Sequence, residues 1–75
     1  MLQMNNLNVA KIQLNGEPYE INSDTNLNEL LNTLKIKKNK VAIEINGEIV
    51  EKKKYPKTIL NKNDKVEIVQ FIGGG

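Results

Sequence analysis

Ser23-Asp24-Thr25-Asn26-Leu27-Asn28-Glu29-Leu30-Leu31-Asn32-Thr33-Leu34 is the stretch on which the fold turns. Leu27, Leu30, Leu31 and Leu34 fall at i, i+3, i+4 and i+7, so a helix gathers them into one apolar stripe and leaves Asn28, Glu29, Asn32 and Thr33 on the opposite face. Ser23 to Asn26 offer oxygen-bearing side chains that can accept hydrogen bonds from the free N–H groups of a helix start. Asp24 also suits the positive end of the helix dipole, and the helix is expected to begin near Thr25. A single leucine-striped helix has one side to bury and needs an apolar sheet face to cover it.

The flanking sequence supplies that sheet. Upstream, Ala10, Ile12 and Leu14 alternate with Lys11 and Gln13, the period of a half-buried strand. Asn15-Gly16 then gives a tight turn, because both residues accept the positive φ of a type I′ hairpin, and Tyr19 and Ile21 alternate with Glu20 and Asn22 on the way back. Downstream, Lys35 to Lys40 read as a solvated loop, with Ile36 at the edge of the core. Val41-Ala42-Ile43-Glu44-Ile45 is the most strand-like run, and Asn46-Gly47 makes a second hairpin with a short return strand, Glu48-Ile49-Val50. Glu51-Lys52-Lys53-Lys54-Tyr55-Pro56 ends it, since Pro56 cannot donate to a ladder; its lysines read as a solvated turn. Thr58-Ile59-Leu60 is expected to bury two apolar side chains in a short turn, and Lys65 leads into a last strand, Val66 to Phe71. The order is β-β-α-β-β-β, an α+β roll: residues 1–8 a loose extension, 9–72 one domain and 73–75 a flexible glycine tail.

Composition narrows the chemistry. Seventy-five residues make one small domain. Cysteine and histidine are both missing, which excludes a thiolate nucleophile, a zinc ribbon and the commonest general base; no catalytic residue and no metal ligand set is expected. Eleven lysines against nine acids leave a net charge of +2, and with no arginine the bidentate recognition of phosphate or guanine is lost, so no nucleic acid is expected. No apolar run suits a membrane span or a signal peptide, and the expected setting is cytoplasmic, with no membrane partner.

What composition takes away, the C-terminus offers. Gly73, Gly74 and Gly75 follow directly on an apolar strand, with no polar linker between. Glycine adds almost no width to an extended chain, so three of them make a thin thread tipped by a carboxylate. On the last strand the alternation breaks: Val69 and Phe71 fall on the nominally solvent-facing side, away from Ile68 and Gln70. With Ile72 they form an expected docking patch that would hold a partner while the tail enters its active site.

The segments Lys11–Glu17, Leu27–Leu31, Val41–Val50 and Asp64–Gly75, in this order and spacing, resemble the thiamine-biosynthesis sulfur carrier family, β-grasp proteins of the ubiquitin-like kind. The resemblance implies a mixed sheet packed on the one main helix and a carrier cycle in place of enzymatic activity. An E1-like (ThiF-type) adenylyltransferase would use ATP and Mg to adenylate the Gly75 carboxylate, while the carrier itself binds no cofactor. Sulfur from a donor such as a cysteine desulfurase would displace AMP, and the thiocarboxylate would deliver it to thiazole synthase (ThiG-type). The small subunit of molybdopterin synthase shares the roll and the Gly-Gly end and stays open, as does a ubiquitin-like protein modifier. A β-grasp RNA-binding module has only the lysine runs in its favour.

Overall fold

The computed structural model describes residues 8–71. Five strands, β1 (Val9–Leu14), β2 (Glu17–Asn22), β3 (Val41–Ile45), β4 (Glu48–Ile49) and β5 (Lys65–Gln70), form one mixed sheet in the order β2-β1-β5-β3-β4, and one helix, α1 (Leu27–Leu34), follows β2. The last strand in sequence therefore lies in the middle of the sheet. β1 pairs parallel with β5, and the other neighbours are antiparallel.

Local chemistry accounts for each element. Asn15 and Gly16 take φ of 50° and 85°, and Asn46 and Gly47 take 54° and 89°, so both turns use the left-handed backbone that Asn-Gly tolerates. Helix α1 is capped by Asn26 rather than Thr25. The Asn26 Oδ1 accepts the Glu29 N–H at 2.8 Å and the Glu29 Oε1 accepts the Asn26 N–H at 3.0 Å, a reciprocal capping box. Thr25 instead donates its hydroxyl to the Asn22 carbonyl at 2.6 Å. Lys35 ends the helix in the left-handed region, and the Ile36 N–H reaches back to the Leu31 carbonyl.

The core is drawn from the set the periods select: Ile12, Ile21, Leu27, Leu30, Leu31, Val41, Ile43, Val66 and Ile68, with Leu60 and Tyr55 added, while Leu14, Tyr19, Leu34 and Ile45 of the same set are only half-buried against it. Burying each aliphatic side chain contributes about 1.5–3 kcal/mol before the entropy of ordering is subtracted. Two expectations change here. Leu60 is buried but Ile59 is 43% exposed, because this segment forms a single antiparallel bridge with Asn26 and alternates like a strand. The lysine-rich stretch is not a simple turn: Lys52–Lys57 is a 3₁₀ helix packed beside α1, and its Tyr55 is wholly buried. Residues 1–7 of the expected extension lie outside the described residues, and the Asn8 carbonyl accepts the Ser23 N–H at 2.8 Å.

Candidate functional site

The site is the exit end of β5. Val66 and Ile68 point into the core, while Val69 and Phe71 are 59% and 57% exposed. The expected docking residues Val69 and Phe71 thus share the outer side of one strand. Ile72, Gly73, Gly74 and Gly75 lie outside the described residues.

Two side chains complete the hydrogen bonding that neighbouring strands leave unfinished around β5. Parallel pairing with β1 stops at Leu14↔Val66, because the chain turns away at Asn15. The next inward-facing pair of β5 backbone groups belongs to Ile68. Its N–H is accepted by Asn15 Oδ1 at 2.8 Å and its carbonyl takes the Asn15 Nδ2 at 3.4 Å, so the amide stands in for the missing strand residue. Asn46 acts similarly where β5 begins, accepting the Lys65 N–H at 2.9 Å and donating to Asp64 Oδ1 at 3.0 Å.

The exit end is held differently. β3 pairs with β5 from Ile45↔Val66 to Val41↔Gln70, and the ladder continues through the Phe71 N–H to the Lys40 carbonyl at 2.8 Å. On its far side β3 is covered by the much shorter β4, whose last bond runs from the Val50 N–H to the Ile43 carbonyl. The Val41 carbonyl lies beyond that reach, and Lys52 Nζ donates to it at 2.6 Å. The same ammonium stands 5.9 Å from the centre of the Phe71 ring, a cation–π distance. Lys52 therefore ties the 3₁₀ helix, the start of β3 and Phe71 together.

Sequence reasoning missed three members of this region. Ile49, 73% exposed, lies on the same outer face as Val69; the two-residue Asn46-Gly47 turn fixes the register Glu44↔Ile49 and so carried the signal. Lys52 gave no signal, since its role depends on where β4 stops. Tyr55, flanked by Lys54 and Pro56, breaks every period around it. Among the described residues its buried hydroxyl has no hydrogen-bond partner of good geometry; burial, the larger effect, raises its pKa above the ordinary tyrosine value, and the nearby Ile43 backbone offsets part of that rise.

Among the described residues no group of three His, Cys, Asp or Glu is placed to hold a metal, and no helix is long and apolar enough to cross a membrane. What this arrangement can do chemically is present a strand end: a rigid root, exposed apolar side chains beside it, and the remaining residues beyond.

A family model described as the ThiS family matches residues 12–75. The crystal structure of the thiamine biosynthesis protein ThiS from Geobacter metallireducens superimposes with a TM-score of 0.75 at 34% identity, covering 87% of this chain and 99% of that one. The sulfur carrier protein ThiS of Bacillus subtilis is 37% identical over 65 residues, 85% of this chain and 98% of that protein. A thiazole synthase from Magnetococcus marinus is 43% identical over 65 residues, which make up 87% of this chain but only 20% of that protein.

Proposed function

From the premise that the chain belongs to the ThiS family, the small sulfur carriers of thiamine biosynthesis, we propose that the carboxylate of Gly75 is the group that carries the sulfur. The protein is a carrier and not an enzyme. A carboxylate is a poor electrophile until one oxygen becomes a good leaving group. An E1-like, ThiF-type partner makes it one, using ATP and Mg: the Gly75 carboxylate attacks the α-phosphorus, pyrophosphate leaves and an acyl-adenylate remains. A donor such as a cysteine desulfurase holds the sulfur as a persulfide, whose terminal sulfur displaces AMP to give an acyl disulfide. A thiol then reduces that disulfide, leaving as a mixed disulfide with the donor and releasing the thiocarboxylate. The acceptor is a ThiG-type thiazole synthase, and support for that pairing comes from the thiazole synthase that contains a stretch 43% identical to this chain.

The observation that carries the reading is that the family match runs through Gly75, while the described fold brings β5 to its exit end with Val69 and Phe71 exposed beside it. In this scheme Val69, Phe71 and Ile72 dock on the partner, and Gly73 and Gly74 thread a passage too narrow for side chains. Every step takes place in a partner's active site, which agrees with a chain lacking histidine and cysteine. Removing Gly74 and Gly75 is expected to abolish ATP–pyrophosphate exchange catalysed by the activating enzyme while leaving thermal unfolding unchanged. Undiminished exchange would contradict the reading.

A further inference from the structure

Eight of the eleven lysines lie in two short segments, residues 35–40 and 52–57, neither of which contains an acid. In sequence they are twelve residues apart and each reads as a solvated run. The fold joins them. The Phe71 N–H is bonded to the Lys40 carbonyl, and Lys52 bonds the Val41 carbonyl with its ammonium against the Phe71 ring, so the end of one segment and the start of the other meet at Phe71. All eight side chains are exposed. Lys54 alone has an acidic partner among the described residues, Glu51 at 3.7 Å. The other end of β5 is of mixed sign, with Glu17, Glu48 and Asp64 beside Lys62 and Lys65. A net charge of +2 thus conceals a one-sided distribution.

We propose that Lys40 and Lys52, with the exposed lysines that adjoin them in sequence, form a cationic collar that docks on an acidic rim around the active-site mouth of the enzyme that adenylates the tail. The inference rests on the carrier reading and adds to it the chemistry of the partner's surface. Its physical ground is the shortness of the tether. Four residues separate Phe71 from the Gly75 carboxylate, and four fully extended residues span at most about 13–14 Å. An enzyme that reacts with Gly75 must bring its catalytic centre within that distance of Phe71, so the surface around the centre is forced against whatever surrounds Phe71. Beside the apolar Val69, that surface carries the Lys52 ammonium and Lys40. A cationic or neutral rim would leave these ammonium groups repelled or desolvated without partners, whereas an acidic one steers the encounter and fixes its orientation. Lysine suits this use: a point charge on a flexible stem tolerates a rim whose carboxylates are not rigidly spaced.

The test compares two double variants of equal charge, Lys40→Glu with Lys53→Glu in the collar, and Lys62→Glu with Lys65→Glu at the opposite end of β5. Each pair takes the net charge from +2 to −2, since each exchange changes it by two. With the full chain and its activating enzyme, the collar pair is expected to raise the KM for ATP–pyrophosphate exchange about tenfold at low salt, with kcat unchanged at saturation. The control pair should stay within about threefold, and the gap should close in about 1 M salt, where the Debye length is about 3 Å. Lys40→Gln with Lys53→Gln, which removes charge without reversing it, should fall between wild type and the collar pair and guards against misfolding. Equal KM values for the two charge-reversed pairs, or a gap indifferent to salt, would overturn the collar. So would salt-sensitive retention on an RNA oligonucleotide that the collar pair abolishes while its KM stays at the wild-type value. Wild-type exchange under the same conditions is the separate check on the carrier reading: its absence speaks against that reading, not against the collar alone.

Discussion

The two ends of β5 are built from similar side chains and held in opposite ways. At its start, Val66 and Ile68 are buried, and the backbone is fixed by the amides of Asn15 and Asn46 as well as by β1 and β3. At its exit, Val69 and Phe71 stand in solvent, β1 has already turned away, and the remaining ties are the β3 ladder and the single ammonium of Lys52. Side chains of the same apolar character therefore serve the core at one end and remain available to a partner at the other. The difference arises from the face each side chain occupies: Val66 and Ile68 alternate onto the face that packs into the core, and Val69 and Phe71 onto the outer face of the sheet. A central strand that emerges from the core by degrees can hold a rigid root while leaving its last residues accessible.

Paired substitutions at the two ends break this comparison most sharply. Ile68→Ala is expected to cost about 2–4 kcal/mol in denaturant unfolding, through lost burial and the cavity left behind. Phe71→Ala should change stability by less than about 0.5 kcal/mol, as exposed positions do, yet weaken binding of the activating enzyme about tenfold. A large stability loss from Phe71→Ala would move that residue into the core and erase the distinction.

The tie at the start of β5 is sharpened by Asn15→Gly, which keeps the positive φ but removes both bonds to Ile68. A loss of about 1–2 kcal/mol is expected, because a part-buried N–H and its carbonyl lose their partner. Asn15→Asp, which retains the acceptor for the Ile68 N–H, should recover part of it. At the exit, Lys52→Met keeps the stem and removes the donor to the Val41 carbonyl, with an expected loss of about 1 kcal/mol read in the same unfolding experiment.

The smallest effect at neutral pH belongs to Tyr55→Phe. Removing a buried hydroxyl that has no hydrogen-bond partner of good geometry should leave stability within about 1 kcal/mol of wild type. At high pH the variant should gain. A tyrosine whose folded pKa lies above its unfolded value holds its proton longer in the native state, so its contribution is intact below about pH 10 and is lost as pH rises through the folded pKa. Thermal unfolding followed from pH 8 upward checks this, with a shallower alkaline decline expected for Tyr55→Phe.

Much of this was legible from local pattern. The leucine stripe of α1, the two Asn-Gly turns and the alternation of β1, β3 and β5 follow from periods that a half-buried element imposes, and the break at Val69 and Phe71 marked the side that stays exposed. The sheet order was implied only by family resemblance, because strand adjacency depends on contacts between distant segments. Tyr55 and Lys52 were illegible for a related reason. Their surroundings are lysine and proline, with no period to read, and each takes its role from where a neighbouring strand ends: Lys52 covers a carbonyl that β4 does not reach, and Tyr55 fills the core beside Ile43. Ile59 was misread because a segment with a single bridge was treated as a turn.

The decisive measurement is intact-protein mass spectrometry on the full chain after incubation with ATP, Mg, the activating enzyme, a cysteine-derived sulfur donor and a thiol reductant. The carrier assignment predicts one oxygen replaced by sulfur, localised by fragmentation to the carboxylate of Gly75. A terminus that stays an ordinary carboxylate with an activating enzyme competent on another carrier would contradict it.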